Sequence, residues 1–506
     1  MTLNLRRKFA SGKLQILRRL EKALESDASR PMYSPSNIHY EVADKARGMV
    51  HGGMGAVHKL VRKTGLIKHL DDAVHVLKVH KPYHESDHVL NIAYNAMCGG
   101  QTLDDIELRR NDLVYLDAMG AHSIPDPTTA GDFCRRFDED SLWAMQDAVN
   151  ETRLGVWQRQ SKEFFAETAR IDADGTLVAT DGDCKEGMDI SYDGQWGYHP
   201  LVVSLANTGE PLFIKNRSGN RPSHEGVTPL FDKGTALCRR AGFKDILLRG
   251  DTDFSNTTEF DRWTEDGVRF IFGYDARANM IENAEGIPDA LYRDLVVRAE
   301  QALLTKPRTK PEDVKDRIVR AREFRTIRTV GEELADFEYQ PGKCRLEYRV
   351  VVLRKDLSIS RGEAVLFNEY RYFFYITNDK DLTLDEVVLE ARQRCNQENL
   401  HAQLKSGVHA LHAPVNTLNA NWAYMVMASL AWSIKAWMAL SIPVCPRWRE
   451  KHQKEKDQVL RMEFRTFLAR FINTPAQIIK AGRRIIYRLM AWNPWQDVFM
   501  RLLDAL

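Results

Sequence analysis

Arg394, Glu398 and Lys405 stand four and then seven residues apart in the run Glu390-Ala391-Arg392-Gln393-Arg394-Cys395-Asn396-Gln397-Glu398-Asn399-Leu400-His401-Ala402-Gln403-Leu404-Lys405. On an α-helix these offsets are about one and two turns, so a carboxylate and two cations share one face. Alone, such a trio is an ordinary solvated helix arrangement. Carboxylates elsewhere give it chemical meaning. Asp251 follows the apolar run Ile246-Leu247-Leu248 and then Arg249-Gly250, just past a buried strand, where an open α/β sheet keeps its functional groups. Asp172 and Asp174 lie two apart in the alternating run 169–180 and so project to one face of a strand. Aspartates on strands and a glutamate on a helix between two cations form the oxygen-rich set that holds Mg²⁺ for two-metal phosphoryl transfer, with Mn²⁺ a possible substitute.

The elements that must carry these groups are legible in outline. Thr383 and Glu386 make a T-x-x-E capping box that starts the helix of Glu398. Residues 1–165 read as helical, with helical spacing at 89–98, 102–116, 128–137 and 141–159, and a turn Ile124-Pro125-Asp126-Pro127 that suits a helix-turn-helix or plain three-helix packing. After 165 the order is three strands (169–180, 199–206, 211–215), a helix ending at Ala241-Gly242, a strand at 246–248, a helix at 257–264 and a strand at 268–272. That order predicts a mixed α/β sheet with covering helices. An interruption from 275 to 369 is first charged and helical, then strand-like at 346–353 and 363–367. From 382 on the chain again reads as helical.

Bulk properties narrow the function classes. The chain has 506 residues, 43% hydrophobic and 28% charged, enough for two to four domains, and a net charge of only +2. Its basic residues are clustered: Arg6 to Lys22, 306–328, and 447–488 with Trp448, Phe464, Phe467, Phe471 and Tyr487 interleaved. Separate basic patches suit a protein that tracks an extended polyanion. Seven scattered cysteines without a C-x-x-C pair point to a reducing compartment rather than a disulfide framework or zinc ribbon. No secretory signal pattern is present at the N-terminus. The apolar run 422–443 contains Lys435 and is expected to be a buried core helix rather than a membrane span. His80, His84 and His88 are spaced by four, but Pro82 interrupts them, which disfavours a zinc site. Gly52-Gly53-Met54-Gly55-Ala56 lacks the G-K-[ST] ending of a phosphate loop, so no nucleotide cofactor is expected.

With these residues in place the chain resembles DDE-type transposases of bacterial insertion sequences, recombinases with a ribonuclease-H-like (retroviral-integrase-like) catalytic core. One cut-and-paste group carries Y-x-x-R-x-x-x-E-x-x-x-x-x-x-K; Arg394, Glu398 and Lys405 match it, and Ala391 stands where it has tyrosine. Asp172-Ala173-Asp174-Gly175-Thr176 resembles the first-carboxylate region and Arg249-Gly250-Asp251-Thr252 the second. Gly197-Tyr198-His199-Pro200-Leu201, Gly219-Asn220 and Tyr83-His84-Glu85-Ser86-Asp87-His88 are also similar to the family, over roughly residues 80–410.

The resemblance implies a ribonuclease-H-like core with a mixed five-stranded sheet, a β-rich insertion, and helical N- and C-terminal regions. Together with the order of elements along the chain, the resemblance divides it into a helical DNA-binding region at 1–165, the first part of the core at 166–275, an insertion at 276–369, the core's end with the Glu helix at 370–415, and a basic helical region at 416–506, the first 80 and last 90 residues lying outside the resemblance. It implies Asp174, Asp251 and Glu398 as catalytic metal ligands, with Asp172 the alternative first aspartate. Asp181, in the polar turn 181–187 with Asp183, ranks third. Arg394 and Lys405 would contact DNA phosphates. The activity expected is cleavage at terminal inverted repeats and joining of 3′-hydroxyls to target DNA. The partners expected are double-stranded DNA and at least a second copy in the active complex, with no membrane, in the bacterial cytoplasm at the nucleoid. A DNA-binding regulator with an inactive nuclease-like fold, or a nuclease of the same fold without strand transfer, are the alternatives.

Overall fold

Leu201–Leu205 and Ile246–Gly250 are buried at every residue, which places both segments inside a sheet covered on its two faces. The computed structural model describes residues 3–23, 37–40, 46–80, 82–295, 325–361, 364–490 and 492–506. Residues 306–324 of the second basic stretch lie outside the described residues.

The strands of the main sheet are β1 (Ala169–Gly175), β2 (Leu201–Leu205), β3 (Glu210–Lys215), β4 (Ile246–Gly250), β5 (Arg269–Tyr274), β6 (Arg293–Asp294), β7 (Arg325–Tyr339), β8 (Tyr348–Arg361) and β9 (Ala364–Thr377). Across the sheet they stand β6-β7-β8-β9-β5-β4-β1-β2-β3. β1 is parallel to β4, and β4 to β5, while β2 runs antiparallel to both β1 and β3. β1 to β5 form the mixed α/β core the chain order predicts. The expected five-stranded sheet is corrected to nine strands among the described residues. The strands of the insertion do not form a separate layer. β9 pairs antiparallel with β5 through Phe374↔Tyr274 to Thr377↔Ile271 and carries the sheet onward. An exposed edge of backbone donors and acceptors accepts any strand of suitable register, and that pairing leaves no local mark in sequence.

Helices are α1 (Glu85–Met97), α2 (Glu139–Trp157), α3 (Val227–Ala241), α4 (Leu384–Gln393), α5 (Cys395–Ala402) and α6 (Leu418–Leu440). α4 begins at the predicted capping box, where the Thr383 hydroxyl accepts from the Glu386 N–H and the Glu386 carboxylate accepts from the Thr383 N–H at 2.8 Å. The helix expected to continue from there to Lys405 is interrupted at Arg394 and widens into a looser turn at Gln403–Gly407. The helix expected over 102–116 is two short ones, Ile106–Arg110 and Leu113–Met119, because Asp112 caps the second by accepting from Val114 and Tyr115 N–H. The C-terminal part is not wholly helical. Ala476–Ala481 and Arg484–Leu489 form a hairpin around Gly482, whose φ of 58° suits glycine, and Gly48–Met49 adds a third strand. Paired isoleucines and Tyr487 in these segments favour strand over helix. The Gly52-Gly53 run serves close approach. A Cβ at Gly52 would stand 2.2 Å from the Thr474 carbonyl oxygen, and one at Gly53 2.0 Å from that of Phe471.

α6 contains the apolar run singled out in sequence, and every residue of its most apolar stretch is buried inside the protein. It packs against α1, α2 and β3, and its Trp422 indole donates to the Ile214 carbonyl at 2.6 Å. At its centre a buried cluster gathers around Glu210. The Glu210 carboxylate accepts from Arg153 Nε at 3.0 Å, Trp157 Nε1 at 3.0 Å and Trp437 Nε1 at 2.8 Å. This ties β3 to α2 and α6.

Lys435 on α6 is fully buried, donates to the Leu460 carbonyl and lies over the Trp432 ring. Burial pushes its ammonium down from 10.5 to about 7, against the pull of Glu210. The folded state therefore carries the full cost of a buried charge below about 7, and none above 10.5. We expect Lys435→Met to abolish a rise in stability that the unaltered protein shows between pH 7 and 10. Denaturant midpoints of both proteins across that range check it; parallel curves would refute it.

Candidate functional site

β1 and β4 pair in parallel with Asp172 opposite Arg249, so Asp174 near the end of β1 and Asp251 just past the end of β4 emerge together at the C-terminal ends of these two strands. Asp251 also caps a short turn by accepting from the Asp253 N–H at 3.0 Å. Arg394, at the joint of α4 and α5, reaches these strand ends and donates from Nη1 to Asp174 Oδ2 at 3.3 Å, with both side chains largely shielded from solvent.

The electrostatics show how crowded the strand ends are. Burial pushes the Asp174 carboxyl up to about 6; Arg394 pulls the other way, and the negative charge of Asp251 adds to the rise. Asp251 is raised by burial too, again opposed by Arg394, with Asp253 adding to it. Lys405 is lowered by burial and drawn back by Asp174. Asp174, Asp251, Arg394 and Lys405 thus share one electrostatic neighbourhood.

The other candidates lie differently. Asp172 does project to the same face as Asp174, but it is sealed in an ion pair. Arg249 Nε and Nη2 donate to its two oxygens at 2.7 and 2.8 Å, and both side chains are 1% exposed. Asp181 is exposed in the turn after the short strand Val178–Ala179. Glu398 lies on α5, exposed, and is not drawn into a carboxylate cluster. Among the described residues no group of three or more His, Cys, Asp or Glu side chains is close enough to hold a metal ion. Ala391 packs against the small apolar cluster of Leu247, Ile271 and Val388.

Two histidines belong to this neighbourhood that residue types alone did not assign. A Cβ at Gly175 would stand 2.6 Å from His199 Cε1, so the imidazole lies against the backbone next to Asp174. Burial lowers His199, with Arg217 and Lys405 adding to the effect. His401 is buried and lowered to about 3, by burial first and then by Lys405, Arg394 and His199. The signal for His401 is its spacing, three residues after Glu398 and four before Lys405 on the helical face already in view.

The donor chemistry fits a divalent ion at Asp174 and Asp251. Hard cations take carboxylate oxygens, and two aspartates whose proton affinity is raised by burial, that of Asp174 further by Asp251 and that of Asp251 further by Asp253, with one guanidinium for relief, form a site where added positive charge is favourable.

The family model for the transposase DDE domain, group 1, matches residues 46–506. Among solved structures, the chain is similar to a piggyBac transposase determined by cryo-EM in a synaptic complex with hairpin DNA. Identity is 12%, the TM-score is 0.35, and the match covers 82% of this chain and 87% of that one. No curated protein matches the chain.

Proposed function

This chain belongs to the DDE transposase family, and from that premise we propose that it binds the terminal inverted repeats of a bacterial insertion sequence, cleaves DNA at the ends and joins the freed 3′-hydroxyls to target DNA. The observation that carries this reading is the convergence of Asp174 and Asp251 from parallel strands, with Arg394 donating to Asp174. Asp174 and Asp251 would hold a divalent ion, Mg²⁺ or Mn²⁺, which supplies Lewis-acid stabilisation and an activated oxygen nucleophile when bound. Glu398, one turn beyond Arg394, is proposed as the third carboxylate. Arg394 and Lys405 would face the scissile phosphate, where fixed cations offset charge that builds up in the transition state. The buried pair of Asp172 with Arg249 supports Asp174 over Asp172 as the first carboxylate. The helical region before residue 165, together with the basic C-terminal stretch, would hold the end sequences. Pairing two ends requires at least a dimer of this chain in the complex, acting in the cytoplasm at the nucleoid.

The test uses the purified chain with a pre-cut, 3′-hydroxyl end duplex and supercoiled plasmid, with Mg²⁺ or with chelator. Joined products with Mg²⁺ and none with chelator are expected. Cleavage of uncut ends without joining would leave a nuclease of the same fold. The exposed Glu398, in no group of three or more ligand-type side chains among the described residues, favours one second reading: a DNA-binding regulator with this fold and no cleavage. End binding without either product would establish it.

A further inference from the structure

Behind the candidate site lies a second charged layer, whose central pair is sealed from solvent. Arg249 grips Asp172 with two nitrogens and donates from Nη1 to Glu390 Oε2 at 2.9 Å. Arg170 Nε adds a bond to the same Glu390 oxygen at 2.8 Å. The side chains of Asp172 and Arg249 are 1% exposed and that of Glu390 13%. Apolar residues of similar volume would often stabilise such a place as well or better, because desolvating charges is costly. Stability alone therefore does not account for the cluster.

Its registration with the site does. Asp172 lies two residues before Asp174 on β1, and Arg249 two before Asp251 at the end of β4, in register. Two strand residues advance by about 6.6 Å. Glu390 lies four residues before Arg394, and four helical residues advance by about 6 Å. Each member of the buried layer stands one nearly equal step behind a member of the site. Beyond Arg394 the helix is tied down again: Gln397 Nε2 donates to the Val202 carbonyl at 3.1 Å, and its Oε1 accepts from the Ser204 hydroxyl. Ser204 is itself the cross-strand partner of Asp172. The joint that bears Arg394 is held on both sides.

We propose that Asp172, Arg249 and Glu390 are positioning residues that set the distance from the strand ends bearing Asp174 and Asp251 to the helix joint bearing Arg394. This rests on the function proposed above. The layer touches neither substrate nor metal; it presets the groups that do, and so spares them reorganisation when DNA binds.

The test is Glu390→Gln in the full chain, which removes the charge and keeps the volume. Four quantities are read: thermal melting, end-duplex binding by gel shift, Mn²⁺ affinity by electron paramagnetic resonance, and the single-turnover cleavage rate at saturating Mg²⁺. Folding and end binding should be retained. Mn²⁺ affinity and cleavage rate should each fall by roughly 10- to 100-fold, and Glu390→Asp should recover part of the loss. A folded Glu390→Gln protein with Mn²⁺ affinity and cleavage within twofold of the original overturns the proposal. So does a lower melting temperature with both quantities unchanged, since that is what a merely structural role produces. Should Glu390→Gln fail to fold, Arg170→Gln carries the same test with the same outcomes, because Arg170 is 29% exposed and outside the sealed pair. Asp251→Asn run alongside separates the two ideas. If Asp251→Asn cleaves normally, the site itself is misassigned; if only Glu390→Gln is silent, the positioning layer alone falls.

Discussion

Asp251→Asn should bind an end duplex within a few-fold of the unaltered protein and cleave it at least about a thousandfold more slowly, a loss of roughly 4 kcal/mol of transition-state stabilisation. Asparagine is the informative substitution. Its side-chain oxygen can still accept from the Asp253 N–H, so the cap of the short turn after β4 survives and only the charge is lost. Asp174 would then face Arg394 and Lys405 without the anionic neighbour on β4's end, and the strand ends would carry too little negative charge to hold a divalent ion tightly. Gel shift and single-turnover cleavage with Mg²⁺ check the prediction. Retained Mg²⁺-dependent cleavage would remove Asp251 from the chemistry. Loss of end binding in step with cleavage would point to misfolding, which melting reports separately.

The second large effect concerns stability. Glu210→Ala should destabilise the protein by about 3–5 kcal/mol, the usual cost of stranding one charge of a buried pair. Arg153 would keep its charge at 1% exposure, and the indole N–H groups of Trp157 and Trp437 would lose their acceptor. Glu210→Leu combined with Arg153→Met should cost much less, since no charge is then left unpaired. Denaturant midpoints of the single and double variants decide the matter, and a double variant as unstable as Glu210→Ala would contradict the account. The effect bears on function because this cluster joins β3 to α2 and α6, and so fixes the N-terminal helices to the edge of the catalytic sheet.

How far the sequence reaches can be judged residue by residue. The Thr383–Glu386 cap was legible because its partners are three residues apart and its chemistry is local. The strand that precedes Asp251 was legible because Ile246-Leu247-Leu248 is a short apolar run ended by Gly250 and a polar turn. The break at Arg394 was not, since residues 384–405 are compatible with one uninterrupted helix. What decides it is how the chain docks on β1 and β2 through Glu390 and Gln397. His199 escaped for a related reason: its place beside Asp174 depends on the strand that returns next to β1.

The sequence by itself determined the inventory: which carboxylates and cations exist, their helical and strand spacing, and a family resemblance that the match over residues 46–506 bears out at the level of the DDE transposase family. Tertiary structure decided what each group is free to do. Asp172 and Asp174 are indistinguishable by alternation, yet the parallel pairing of β1 with β4 puts Arg249 opposite Asp172 and seals it, leaving Asp174 at the strand ends with Asp251. The insertion was likewise visible as a β-rich stretch, but its strands extend the core sheet to nine only because β9 meets the edge of β5. Both outcomes rest on partners from 77 to about a hundred residues away, and spacing along the chain carries no information about contacts of that kind.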